Sequence, residues 1–178
     1  MEGGDAAHVV VAMHARHGTT SLLATTMTAP PPEVAATLAA IGRACTARRR
    51  GAARILGVYL EGPYINAEKL GAQPAYARVA GLAELQELGK LAPLRLPLPL
   101  RLVTLAPEIK GHLQLVCALT DAGIRDQIGH TAGTYDDGVA ALEHGAAGST
   151  HLLNAMSSLH HREPAWWARR WRTPATPN

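Results

Sequence analysis

Three side chains stand out by type and position: Glu61, His130 and His151. Glu61 immediately follows the apolar run RILGVYL (Arg54–Leu60), and His130 closely follows the short run Ile124–Ile128. His151 falls inside a fifth candidate strand, Ser149–Leu153, while Thr25 and Thr26 end the first, Thr20–Thr26. A carboxylate and two imidazoles delivered by three strands fit a divalent-metal site that keeps one position open for water. Taken singly, each residue has a plainer reading. A histidine at a strand end is often a hydrogen-bonded structural residue, and Glu61 before Gly62-Pro63 fits a polar turn. Their shared placement brings the metal reading level with the plainer one, because parallel barrels build their sites at the C-terminal ends of several strands at once.

The elements that must position these residues follow from hydrophobic patterning. A helical stretch ends near His17, and Gly18 leads into the Thr20–Thr26 strand. Pro30, Pro31 and Pro32 open a helix from about Glu33 to Arg50, with Val34, Leu38, Ile41 and Cys45 on its apolar stripe. A third strand, Leu102–Ala106, precedes a helix from about Ile109 to Ala122 that stops at Gly123. Thr134 caps a further helix through His144, with Asp137 in the capping-box position and Gly145 as its stop. Short strands alternating with helices predict an α/β fold of about five parallel strands, compatible with a partial TIM-type barrel. Asp126 sits within an otherwise apolar fourth strand, as a buried charge.

Two segments break the pattern. The proline-punctuated LRLPLPLR (Leu94–Arg101) reads as a loop or edge segment, since proline donates no ladder hydrogen bond. The tail Ala165–Asn178, with all three tryptophans among arginines and prolines, reads as a disordered appendage to a domain spanning residues 1–164.

Composition excludes several classes. Hydrophobic residues make up 47% and charged residues 17%, which suits a packed core rather than disorder. Two cysteines, Cys45 and Cys117, rule out a disulfide framework and point to a reducing, cytoplasmic setting. No apolar run is long enough to cross a bilayer, and the first ten residues lack the basic-then-apolar order of an export signal. The net charge of +3 comes largely from two short clusters, Arg48–Arg50 and Arg169–Arg172, too sparse for a nucleic-acid footprint.

Longer motifs narrow the reading. LEGPYIN (Leu60–Asn66), KLGAQ (Lys69–Gln73), TLAPE (Thr104–Glu108), IGHT (Ile128–Thr131), THLLNAM (Thr150–Met156) and HREP (His161–Pro164) occur in that order. Together with HGTTSLLATTMTAP (His17–Pro30) they resemble the N-acetylglucosamine-6-phosphate deacetylases, members of the metal-dependent amidohydrolases. The resemblance implies a barrel in which Glu61, His130 and His151 bind a divalent metal, usually Zn²⁺, that activates water against the N-acetyl carbonyl. It implies substrate contacts from Ala72 and Gln73 near the acetyl group and sugar, and from Asn154, Ala155 and Arg162 at the phosphate. In many members the arginine acts across a homodimer interface. Gln73 replaces a histidine that many members use to polarise the carbonyl.

The family's catalytic aspartate has no counterpart here. Asp121, Asp136 and Asp137 lie in helices, and the first-strand metal motif is also unmatched. The expectation is therefore a piece truncated at both ends, weak or inactive alone. Two rivals remain: a non-catalytic module keeping the metal and sugar-phosphate contacts, and a related amidohydrolase acting on another amide.

Overall fold

A computed structural model describes residues 6–47, 49–79, 81–91 and 100–171. The chain runs α1 (Ala6–Arg16), β1 (Ser21–Thr26), α2 (Pro31–Thr46), β2 (Arg54–Glu61) and α3 (Leu82–Leu91). It continues through β3 (Leu100–Leu105), α4 (His112–Asp121), β4 (Arg125–Ile128), α5 (Tyr135–Glu143) and β5 (Gly148–Ser149). All neighbouring strands pair in parallel, in the order β1-β2-β3-β4-β5. Strand order follows chain order without reversal. Right-handed crossovers then place every connecting helix on one side, as in a barrel wall rather than a doubly wound sheet.

Strand periodicity divides the buried residues between two faces. Val58, Leu60, Val103 and Leu105 meet Val34, Leu38 and Ile41 of α2, Leu85 of α3, and Leu115, Val116 and Leu119 of α4 in one cluster. The alternating residues Tyr59, Glu61, Thr104 and Gln127 occupy the face away from the helices. Three hydroxyls close a ring there: Tyr59 Oη, Thr104 Oγ1 and Thr150 Oγ1 lie 2.7 Å apart in each pairing.

Local signals account for most boundaries. Proline stands at the first turn of α2, where an amide hydrogen has no helical acceptor to miss. At α5, Thr134 accepts from the Asp137 amide while the Asp137 carboxylate accepts from the Thr134 amide, completing the expected capping box. Helix α2 ends at Thr46, four residues short of the expected Arg50. Helix α4 begins at His112 rather than Ile109.

Three expectations change. Leu100 and Arg101 belong to β3, not to a loop, while residues 94–99 lie outside the described residues. Strand β5 is only Gly148–Ser149, so His151 stands beyond it in a turn rather than within it. The tail is not disordered over its described part: Trp166–Trp171 forms a 3₁₀ helix, and Trp166 and Trp167 are buried against Ile128, Ala141 and Met156. Burial of two indoles outweighs the polar composition around them. Gly138 of α5 permits this packing, because a Cβ there would lie 2.5 Å from that of Trp166. Among the described residues, no helix is long and apolar enough to cross a membrane.

Candidate metal centre

The end of β2, the turn after β4 and the turn after β5 bring three donor atoms together. Glu61 Oε1 lies 3.2 Å from His130 Nε2 and 3.3 Å from His151 Nε2, and the two imidazole nitrogens are 3.0 Å apart. The rings meet edge to face at 85°. Among the described residues, these two histidines and one carboxylate form a group able to surround one ion.

Hydrogen bonding on the far side of each ring orients the donors. His130 Nδ1 is 2.8 Å from the Lys69 carbonyl, and His151 Nδ1 is 3.1 Å from the Asn154 carbonyl. A carbonyl only accepts, so both Nδ1 atoms carry the hydrogen, and in the neutral rings both Nε2 atoms present bare lone pairs. Three lone-pair donors facing one another at this range repel unless positive charge lies among them. With bonds of about 2.0–2.1 Å, neighbouring ligands of a tetrahedral ion stand about 3.3 Å apart, close to the spacings here. The donor set therefore fits a divalent cation, with the imidazole orientation that ligating histidines characteristically receive from a backbone acceptor.

Electrostatics point the same way. In the absence of an ion the same geometry lets a protonated His130 donate from Nε2 to Glu61, the foremost cause holding the Glu61 carboxyl below its ordinary value, which outweighs the opposing effect of burial. Burial works against a cation at His130, yet hydrogen bonds to Glu61 and the Lys69 carbonyl overcome it and raise that group. The pocket attracts positive charge.

Backbone strain concentrates at this rim. His130 (φ 49°), His151 (φ 29°), Leu153 (φ 77°) and Ala155 (φ 50°) all adopt left-handed conformations without being glycine. Each costs on the order of 1–3 kcal/mol and persists only where the surroundings fix it. Gly62, directly after Glu61, also has positive φ, and any Cβ there would collide with Thr28 Oγ1.

The other expected site residues are placed unequally. Gln73 is buried beside the triad, its Oε1 accepting from the Thr28 amide at 2.7 Å and its Nε2 donating to Glu61 Oε1 at 3.3 Å. The Thr28 contact fixes the amide orientation, so the NH₂ end faces Glu61. Ala72 is exposed in the adjoining turn. Asn154 contributes its carbonyl to His151, and Ala155 lies against Gly71, which also adjoins His130. Arg162 is exposed, and its amide donates to His160 Nδ1 at 3.3 Å. The backbone acceptors Lys69 and Asn154 and the Thr28 amide carry no side-chain signature. Sequence reading had no means to assign them.

No family model matches the chain. The N-acetylgalactosamine-6-phosphate deacetylase of Escherichia coli O157:H7 is 42% identical over 156 residues, covering 86% of this chain and 40% of that protein. The N-acetylglucosamine-6-phosphate deacetylase of Vibrio furnissii is 38% identical over 148 residues, covering 83% and 36%. Among solved structures, the Mycobacterium smegmatis N-acetyl-D-glucosamine-6-phosphate deacetylase superposes with a TM-score of 0.80 at 33% identity, over 91% of this chain and 41% of that one. A mutant of the same enzyme, in complex with N-acetyl-D-glucosamine-6-phosphate, gives 0.80 at 32% identity. The chain spans at most 40% of the length of these curated relatives.

Proposed function

We infer that this chain belongs to the N-acetylglucosamine-6-phosphate deacetylase family of hydrolases, on its 38–42% identity to curated members over more than four fifths of its length. From that premise we propose that Glu61, His130 and His151 hold a divalent cation, Zn²⁺ foremost, for hydrolysis of the N-acetyl group of N-acetylglucosamine 6-phosphate. The products are glucosamine 6-phosphate and acetate. The observation that carries this reading is the convergence of three lone-pair donors at 3.0–3.3 Å, with both imidazoles oriented by backbone carbonyls. A bound divalent ion supplies an acidified water and a Lewis acid for the amide carbonyl.

The chain's own residues bind and orient. Glu61 would contribute negative charge that favours the cation, and the two neutral imidazoles would supply the other donor atoms of this chain. Gln73 donates to the Glu61 oxygen nearest the imidazoles, which supports the ligand itself rather than the carbonyl of a substrate. Ala72, Asn154 and Ala155 line the rim where the acetyl group, sugar and phosphate would lie. Arg162 can grip a phosphate with parallel hydrogen bonds, in this copy or a second one. Among the described residues no second carboxylate converges on the triad, and no residue of this chain is assigned the proton transfer.

The test is paired. Calorimetric titration with Zn²⁺ should show one bound ion, lost in His151→Ala. Acetate release should be followed with N-acetylglucosamine 6-phosphate and its galacto epimer, since relatives of both names match. Tight metal binding without turnover favours a sugar-phosphate-binding remnant. No metal binding by the folded chain would overturn the assignment.

A further inference from the structure

We infer that Glu108 is a positioning residue for the metal centre: its carboxylate ties together the segments after β2, β3 and β4, and so holds His130 in its strained conformation. This rests on the metal reading above. It also gives a role to TLAPE, whose final glutamate touches none of the three ligands.

The geometry is specific. Glu108 Oε1 accepts from Asn66 Nδ2 at 2.9 Å and from the Ala132 amide at 2.8 Å, while Oε2 accepts from Thr131 Oγ1 at 2.6 Å. Asn66 ends LEGPYIN and Thr131 ends IGHT, so one carboxylate from TLAPE joins three motifs far apart in the chain. Two of its donors, Thr131 and Ala132, come directly after His130. The Asn66 amide donates to the His130 carbonyl at 2.9 Å, which fixes that residue from its other side. Thr131 is fully buried, accepts from the Gly133 amide at 2.9 Å, and pairs with Met156 in an isolated parallel bridge. The bracing thereby extends to the segment after β5 that carries His151.

The physical need is clear. His130 has φ 49°, which relaxes unless its flanks are pinned. Hydrogen bonds to an ionised carboxylate are shorter and stronger than neutral ones, and three of them on one group make a stiff junction. Small displacements matter at this centre. The donor atoms stand 3.0–3.3 Å apart, so a shift of the β4 turn takes His130 Nε2 out of coordinating range.

The experiment compares wild-type protein with Glu108→Ala, Glu108→Gln and Leu119→Ala by thermal melting, Zn²⁺ affinity and the visible spectrum of the Co²⁺ form. Leu119 is a fully buried core residue of α4, so its variant loses stability away from the rim. Expected for Glu108→Ala is a fall in metal affinity of about 10- to 100-fold, the range for partners that orient ligands, with an altered Co²⁺ spectrum. Glutamine keeps the acceptor for Asn66 and Ala132 but presents NH₂ to Thr131, so it should lose about 2- to 10-fold in affinity, with a measurable change in the Co²⁺ spectrum. Leu119→Ala should melt early yet bind metal like wild type.

If Glu108→Ala binds as wild type does, or no worse than Leu119→Ala, the positioning role is overturned and the triad assignment survives. If wild type binds no metal, both fall. Should Glu108→Ala not fold, Glu108→Gln decides: unchanged affinity and spectrum overturn the inference.

Discussion

Two carboxylates on one sheet, one half-buried and one fully buried, meet opposite fates. Glu61 ends β2 on the face away from the helices, with His130, His151 and Gln73 all against one oxygen. Asp126 lies in β4 on the helix-covered side, level with Val103, fully buried, and neither oxygen has a hydrogen-bond partner. Partners hold the first below its ordinary range, whereas burial pushes the second up to about 6. Burial alone therefore does not predict a carboxylate's state; what matters is whether donors surround it. The same division runs through the sheet. One face is a hydroxyl and imidazole network leading to the site, and the other is an aliphatic and aromatic core that holds the strands in place.

The contrast breaks most visibly on the helix-covered side. Trp166→Ala should lower stability by about 3–5 kcal/mol, as for other fully buried tryptophans, measured by urea unfolding. A loss under about 1 kcal/mol, within the range of surface changes, would mean that the 3₁₀ segment does not pack in solution. Asp126→Asn tests the carboxylate itself. Folding raises this group from 3.8 to about 6, so the folded chain takes up a proton between those values. Stability is then highest, for this group, below about pH 4, and falls as pH rises to about 6. Relative to Asp126→Asn, wild type should lose about 3 kcal/mol between pH 4 and pH 7, an upper figure at about 1.4 kcal/mol per unit. A constant difference across that range would show that Asp126 finds a partner.

How much of this was legible beforehand depended on whether the signal was local. The Thr134–Asp137 capping box and the glycine stops at 123 and 145 need only neighbouring residues, and all were found. The apolar run RILGVYL likewise placed Glu61 directly after a strand, and it proves to be the last residue of β2. Helix α3 went unassigned although Leu82 and Leu85 stand three apart, because masking by nearby glycine and proline hid a stripe of few turns. Strand β5 was overextended because Leu152 and Leu153 look like strand residues, yet both are exposed. The left-handed backbone at His130 and His151 left no trace in residue type, since it is imposed by contacts such as the Asn66 amide on the His130 carbonyl. Trp166 and Trp167 misled in the opposite direction: an arginine-rich neighbourhood suggested disorder where tertiary burial prevails.

On the site side, Glu61→Gln should weaken Zn²⁺ binding by more than about 100-fold, equivalent to about 2.7 kcal/mol, because an amide oxygen replaces the ligand charge. Stability of the metal-free protein should fall modestly, since the interactions that hold the Glu61 carboxyl below its ordinary value are lost with its charge. Calorimetry and thermal melting on the same sample separate these effects. Equal Zn²⁺ affinity in both proteins would place the ion elsewhere and remove the basis for the contrast between the two carboxylates.

The smallest effect is the most discriminating. Tyr59→Phe deletes one hydroxyl from the ring with Thr104 and Thr150 while the aromatic ring keeps its volume. Thr104 and Thr150 still bond each other at 2.7 Å, and Thr150 still reaches Gln127 Oε1 at 3.2 Å, so no threonine is left alone. The expected cost is about 1 kcal/mol, the net worth of a hydrogen bond whose partners re-pair. Thr150 immediately precedes His151, and Tyr59 lies two residues before Glu61 on the same face. If the ring only fills the space beneath the site, metal affinity should stay within about twofold while stability drops. If affinity falls in step with stability, the hydroxyls extend the ligand-orienting shell downward, and the boundary between scaffold and site on this face lies one layer deeper than the three ligands suggest.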